Sequence, residues 1–216
     1  MEEENMAVPL DAIRAIHNAF RKDIAAIDVA ANIAAQDRGN PDLVLKRYSF
    51  FNEVLVWHAE GEEENVFPAL ENVAPLVAEP YERDHRGLDS LFVLLDKVVK
   101  ASNFLEIART TCALEFHLKI HLNKEDAHLY RIFNERISLP DQGAIMGKMA
   151  QKIPQDRFPE IVAWLFPLIG PDDKENMTRI WRQSLPEPTF TRITGLIKST
   201  IGNDWAELTR RITELK

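Results

Sequence analysis

Residues 116 to 128 read Phe116-His117-Leu118-Lys119-Ile120-His121-Leu122-Asn123-Lys124-Glu125-Asp126-Ala127-His128, and the architecture turns on them. Four residues apart on a helix, the His121 imidazole and the Glu125 carboxylate stack on one face, so both can grip one metal ion. Helices often carry such pairs on solvated faces, and a single copy decides little. A second copy carries more weight. His58-Ala59-Glu60-Gly61-Glu62 repeats the spacing, and an aromatic residue follows nine positions after each histidine, Phe67 in one copy and Tyr130 in the other.

Around these pairs, the chain reads as four long amphipathic helices. The first is predicted from Pro9 to about Gln36, with the stripe Leu10, Ile13, His17, Phe20, Ile24 and Ile27, a spacing that suits a bundle seam. The second is predicted from the Asn40-Pro41 start to about Asn72, with Phe51, Leu55, His58, Glu62 and Val66 or Phe67 inward. Gly61 and Pro68 are poor helix residues, so some bending is expected near the first pair. The third carries Tyr81, His85, Leu88, Phe92, Leu95 and Val99. The fourth is expected from Ser102-Asn103 to about Arg136, with Leu114, His117, His121 and Glu125 on its inward line. Short connections favour an antiparallel, up-down-up-down arrangement.

In that topology, levels can be compared by counting residues from each turn. His17 and His58 each lie about twenty residues from the first turn, and His85 and His121 lie about sixteen and eighteen from the third, a match within one helical turn. Four helices therefore deliver imidazole or carboxylate to one layer. His17 alone would read as a buried core histidine with a hydrogen-bonding neighbour, and Glu62 alone as the lining of a water-filled bundle end. Together they would be a costly core without a cation, because a buried carboxylate needs a counter-charge, a donor or a proton.

Four imidazoles and two carboxylates make a nitrogen and oxygen site without sulfur. If Glu62 and Glu125 bridge, each of two metals receives two nitrogens and two oxygens and keeps an open position. That donor set suits non-haem iron, with manganese or zinc as lesser options, and has too many ligands for closed structural zinc. The candidate ligands are His17, His58, Glu62, His85, His121 and Glu125, with His117 as a candidate additional ligand. His128 is expected at the surface or beside a ligand, and Glu63 and Glu64 are expected to face solvent, with a hydrogen bond from Glu63 to a ligand histidine as the alternative.

Bulk properties narrow the setting. The 216 residues, 45% apolar and 28% charged, describe an ordinary globular chain with a sizeable core. A formal net charge of −8 argues against a nucleic-acid partner. Cys112 is the single cysteine, which excludes an internal disulfide and a thiolate zinc cluster and fits a reducing compartment; it is read here as a small core residue. The acidic start Met1-Glu2-Glu3-Glu4-Asn5 lacks the character of a secretory signal, and no stretch approaches the ~20 apolar residues of a membrane span. A cytoplasmic location is expected.

The order His, His-x3-Glu, His, His-x3-Glu resembles the hemerythrin-like, or HHE cation-binding, domain. His58-x3-Glu62-Glu63 through Val66-Phe67-Pro68 is close to that family's second-helix motif, and Glu82-Arg83-Asp84-His85 to its third-helix entry. The resemblance covers about residues 8 to 136. It implies a pair of irons, oxo- or hydroxo-bridged, ligated by the six residues named above with both glutamates bridging. Such a centre would bind or react with a small ligand such as O2, NO or peroxide. Oxygen-carrying members have a further histidine one turn on in the third helix, where Asp89 stands here.

The bundle domain is expected over residues 1 to 138, and residues 139 to 216 as an extension of shorter helices punctuated by proline and glycine. In that extension Ile161, Trp164, Leu165 and Leu168 share one face, followed by Met177, Ile180 and Trp181 and by Phe190, Ile193, Leu196 and Ile197. Its Trp-x-Phe helix and Asp-Asp-Lys-Glu helix start resemble the tails that follow hemerythrin-like repeats in plant iron-regulatory ubiquitin ligases. No histidine follows His128 and no zinc ring exists, so ligase chemistry is not expected in this chain. These helices are expected to pack on the bundle or to offer a surface to a second copy or a protein partner, which makes an iron-responsive interaction module without turnover the alternative function.

Overall fold

A computed structural model describes residues 7–37 and 41–215. Every regular element among them is helical. Two compact units are formed, one by Phe20–Lys152 and the other by the described residues of Met1–Ala19 and Ile153–Lys216.

Four long helices set out the first unit: α1 (Pro9–Asp37), which enters it at Phe20, α2 (Pro41–Gly61), α4 (Glu79–Lys100) and α5 (Phe104–Lys124). The second and fourth continue as α3 (Phe67–Val73) and α6 (Tyr130–Arg136), and α7 (Leu139–Ala150) comes after them. The expected stripes are buried apart from His117, with Phe20, Ile24, Phe51, Leu55, Leu88, Phe92, Leu95 and Leu114 among them. At the start of α5 the Asn103 side chain accepts from the Glu106 amide at 3.2 Å and caps the helix. Between α3 and α4, the Glu71 carboxylate accepts from the amides of Leu76 and Ala78 at 2.7 and 2.8 Å and holds the loop. The expected cap of α2 at Asn40 lies outside the described residues.

The bending expected near the first pair takes a definite form. A single π-helical turn, Glu62–Val66, separates α2 from α3, and a second, Glu125–Leu129, separates α5 from α6. Each π turn starts on the glutamate of a His-x3-Glu pair. A π turn absorbs one extra residue, which rotates the next stretch of helix by about 100° relative to an unbroken α-helix. That rotation brings Phe67 and Tyr130 inward, both of them buried; in a regular helix a residue nine positions after the histidine would point away. Gly61 has a packing reason, since a Cβ there would overlap the side chain of Met149 on α7.

In the second unit, α8 (Phe158–Leu168), α9 (Pro171–Ser184), α10 (Glu187–Ile201) and α11 (Asp204–Arg211) share a core with the first turns of α1. Ala15 and Ala19 present small side chains to this core, which contains Val162, Leu165, Phe166, Met177, Ile193 and Ile197. Trp181 lies against Phe158 and Phe166, with ring centroids 5.3 and 5.5 Å away. Lys174 is buried and its ammonium donates to Asp204 at 2.7 Å, so the charge is paired.

Two sequence expectations are corrected. Cys112 is exposed: it sits two residues, about 200°, from the buried Leu114 and so faces away from the seam. His117 is exposed as well, with its ring 5.9 Å from Phe116. Along α5 and into the π turn the inward line is Leu114, Leu118, His121 and Glu125, all within about 60° of one another, and His117 lies a further 40° or so beyond His121.

Candidate metal centre

All six residues named from the sequence are buried, and Glu62 and Glu125 have no exposed surface at all. Their donor atoms form two groups, His17, His58, Glu62 and Glu125 in one and His85, His121 and Glu125 in the other. Within each group the atoms lie no more than 4.8 Å apart, and Glu125 belongs to both. His117 is in neither.

Distances show how the carboxylates sit. Glu62 Oε1 is 3.3 Å from His58 Nε2, and Glu62 Oε2 is 3.5 Å from His85 Nε2. Glu125 Oε1 is 3.1 Å from His121 Nε2 and 3.8 Å from His85 Nε2. Each carboxylate is thus close to more than one imidazole.

The outer nitrogens of two histidines are anchored. Glu63 Oε1 lies 2.8 Å from His85 Nδ1, and Asp84 Oδ2 lies 3.4 Å from His121 Nδ1 and is also paired with Lys124. An ionised carboxylate can only accept, so each Nδ1 carries a proton, and a ring bearing that proton alone would turn an Nε2 lone pair inward. Those two Nε2 atoms are 3.1 Å apart. Facing lone pairs at that distance require a proton or a cation between them, and the donor set fits a metal ion on this ground.

With no cation counted, the electrostatics say the same. Burial pushes the His85 imidazole down, but Glu125 and Glu62 outweigh it and raise its pKa to about 11. Burial likewise lowers His58, and Glu62 reverses the shift and raises it. Glu62 is held well below the usual carboxylate range: burial raises it, and His58 and His85 more than compensate. Glu125 is lowered too, because His121 and His85 outweigh burial and the repulsion of Glu62. The carboxylates hold positive charge at the centre; protons can supply it, and a metal ion binding there would displace them.

Tyr130 was read from the sequence only as an aromatic repeat, yet its hydroxyl donates to Glu62 Oε1 at 2.5 Å. Burial and the two glutamates push that phenol well above its ordinary pKa, so it remains a donor. The 3.6-residue period could not have shown this, since the π turn delivers the side chain. Asp84 was quoted only as part of a motif, and its place next to His85 in sequence hid its contact with His121. His128 is exposed, with Nδ1 2.9 Å from the Tyr81 hydroxyl.

A cavity of about 20 Å³ borders His58, His85 and His121 and is otherwise lined mainly by apolar residues, Leu55, Val56, Leu88, Phe92 and Leu122 among them, together with Asp89. On the same measure about 10–15 Å³ holds one water, so this space admits a ligand of one or two heavy atoms.

Comparison with known proteins finds relatives at low identity. The relatives include three Arabidopsis thaliana proteins. Zinc finger protein BRUTUS is 25% identical over 177 residues, covering 79% of this chain and 14% of its own length. BRUTUS-like At1g18910 is 23% identical over 201 residues, with 84% and 16% covered, and BRUTUS-like At1g74770 is 22% identical over 171 residues, with 73% and 14% covered. The chain therefore spans less than a fifth of these relatives. No solved structure matches it significantly. Residues 8–109 match the hemerythrin HHE cation-binding domain, a range that holds His17, His58, Glu62 and His85 and stops before the His121–Glu125 pair that the fold adds. The all-α bundle with its two inward His-x3-Glu pairs is consistent with that match, which is to the hemerythrin HHE cation-binding domain over residues 8–109.

Proposed function

We propose that this chain is a non-haem di-iron protein that binds or reacts with O2, NO or peroxide. The observation that carries the reading is the pair of buried donor groups sharing Glu125. His17, His58 and Glu62 would hold one iron, His85 and His121 the other, with Glu62 and Glu125 between them. Two irons held in this way would supply electrons and an open coordination position to a small ligand. The chain's own contribution is selection and orientation: Glu63 and Asp84 fix the tautomers of His85 and His121, and the small apolar cavity limits what reaches the imidazoles. Manganese or zinc could occupy the same donors, and a reducing cytoplasm fits the single cysteine.

Metal analysis of protein purified without added iron tests the reading, and two irons per chain are expected. Anaerobic ferrous protein should then develop new absorption bands on exposure to NO or peroxide; an unchanged spectrum would falsify the ligand assignment. Gas release from peroxide above that of free iron would separate turnover from reversible binding.

A second reading has its own support. The alignments to the plant proteins cover 171 to 201 residues, well beyond residues 8–109, so the similarity takes in more than the bundle. In that reading iron orders the bundle and the C-terminal helices meet a protein partner or a second copy. Melting temperature and protease sensitivity of residues 153–215, each with and without iron, test it. If iron changes neither, the regulatory reading fails.

A further inference from the structure

We propose that Tyr130 is the positioning residue that holds Glu62 between His58 of one donor group and His85 of the other, so that removing its hydroxyl leaves the centre with one tightly held ion in place of two. The inference rests on the two-ion reading above. Glu62 has a long side chain whose terminal torsion is soft, so the backbone of the π turn it opens does not by itself fix where its two oxygens point. Something else must set them. Tyr130 does so through its hydrogen bond of 2.5 Å to Oε1. With that oxygen pinned, Oε1 stays 3.3 Å from His58 Nε2 while Oε2 faces His85 Nε2 at 3.5 Å. Rotation of the carboxylate would break the span between the two imidazoles.

Tyr130 is itself well placed for this task. Its ring is buried, 5% exposed, and edge-on to Phe133 at 6.1 Å. The preceding π turn aims it inward. Phe67, its counterpart in the other repeat, has no hydroxyl and stacks on His85 at 5.5 Å. The phenol donor is therefore a property of one repeat only, and it acts across the bundle on the glutamate of the other.

The test uses the full-length chain, stripped of metal and reloaded anaerobically with Fe(II), and with Co(II) as a spectroscopic probe. Wild type is expected to retain two ions after gel filtration. Tyr130→Phe is expected to retain one, with the second bound about 10–100-fold more weakly. Its Co(II) spectrum should lose the signature of coupled ions, and the metal-free chain should still unfold cooperatively, at a somewhat lower urea midpoint than wild type. Phe133→Leu disturbs the packing beside Tyr130 without removing the hydroxyl and should keep two ions. Two ions at unchanged affinity in Tyr130→Phe overturn the proposal, as does an equal loss in Phe133→Leu, which would make packing the cause. Fewer than two ions in wild type overturns the two-ion reading itself, a different result from either variant's.

Discussion

The two His-x3-Glu turns share their spacing, their π turn and their burial, yet their neighbours differ. Glu63, the residue after Glu62, reaches across to His85 Nδ1 at 2.8 Å. Asp126, the residue after Glu125, is one methylene shorter and is paired with Arg21. His121 takes its outer partner from Asp84 on α4, at 3.4 Å and shared with Lys124. Spacing sets which groups face inward. The flanking residues set how firmly each is held, and the second turn has the looser support.

Deleting the carboxylates should have the largest effect on both turns. Glu125 belongs to both donor groups, so Glu125→Ala should abolish tight metal binding, and Glu62→Ala should lose at least one ion. Each change also strips the imidazoles of a buried counter-charge, with a cost of about 3–5 kcal/mol in the metal-free chain by urea unfolding. Unchanged iron content in either variant would contradict the bridging role.

Acid and base should separate the metal-free chain from the loaded one. His85 is raised to about 11 and His58 is raised as well, so their contribution is complete below the ordinary histidine pKa of 6.5 and is lost as pH climbs toward 11. Glu62 and Glu125 are depressed, so theirs is present above about 4.5 and is lost as pH falls through their folded values. Metal-free protein should thus be most stable between roughly pH 4.5 and 6.5 with respect to these groups, and weaken above that window. Metal-loaded protein, its imidazoles already deprotonated, should gain relative to it as pH rises. Denaturant midpoints across pH 5 to 9 would show the two curves diverging; parallel curves would contradict the coupling.

A smaller effect tests the unequal support directly. Glu63→Gln removes the closer partner of His85 and should weaken metal binding about 10–100-fold. Asp84→Asn should cost less, because its contact with His121 is longer and Lys124 competes for the same carboxylate. Competition with a chelator ranks the two, and equal losses would remove the distinction between the turns.

Much of this arrangement was legible in the residues. Period and burial agree along all of Leu10 to Ile27 on α1 and Tyr81 to Val99 on α4, because these helices are regular and one-sided. The inward placement of the four histidines and two glutamates was legible for the same reason, each replacing an apolar residue on a clean stripe. Tyr130 was not, because the π turn breaks the period between the motif and the side chain that completes it. The partnership of Asp84 with His121 was hidden because it joins two helices through residues 37 apart in sequence. Cys112 and His117 were misread on α5, where Leu114, Leu118 and His121 set a narrower seam than the sequence line suggested.

His117 gives the smallest expected effect. Read from the sequence, it could have supplied a fifth nitrogen and made the two ions unequal. In the structure it is exposed, lies beside Phe116 and belongs to neither donor group. Reaching the centre would require α5 to rotate by roughly 40°, which would carry Leu118 away from the seam it fills. His117→Gln should therefore leave metal content unchanged and alter stability by no more than about 0.5 kcal/mol, as expected for a surface site. Loss of an ion in that variant would mean that the looser second turn can rotate to recruit it. The inequality of the two turns would then lie in a ligand and not in the residues that hold the ligands.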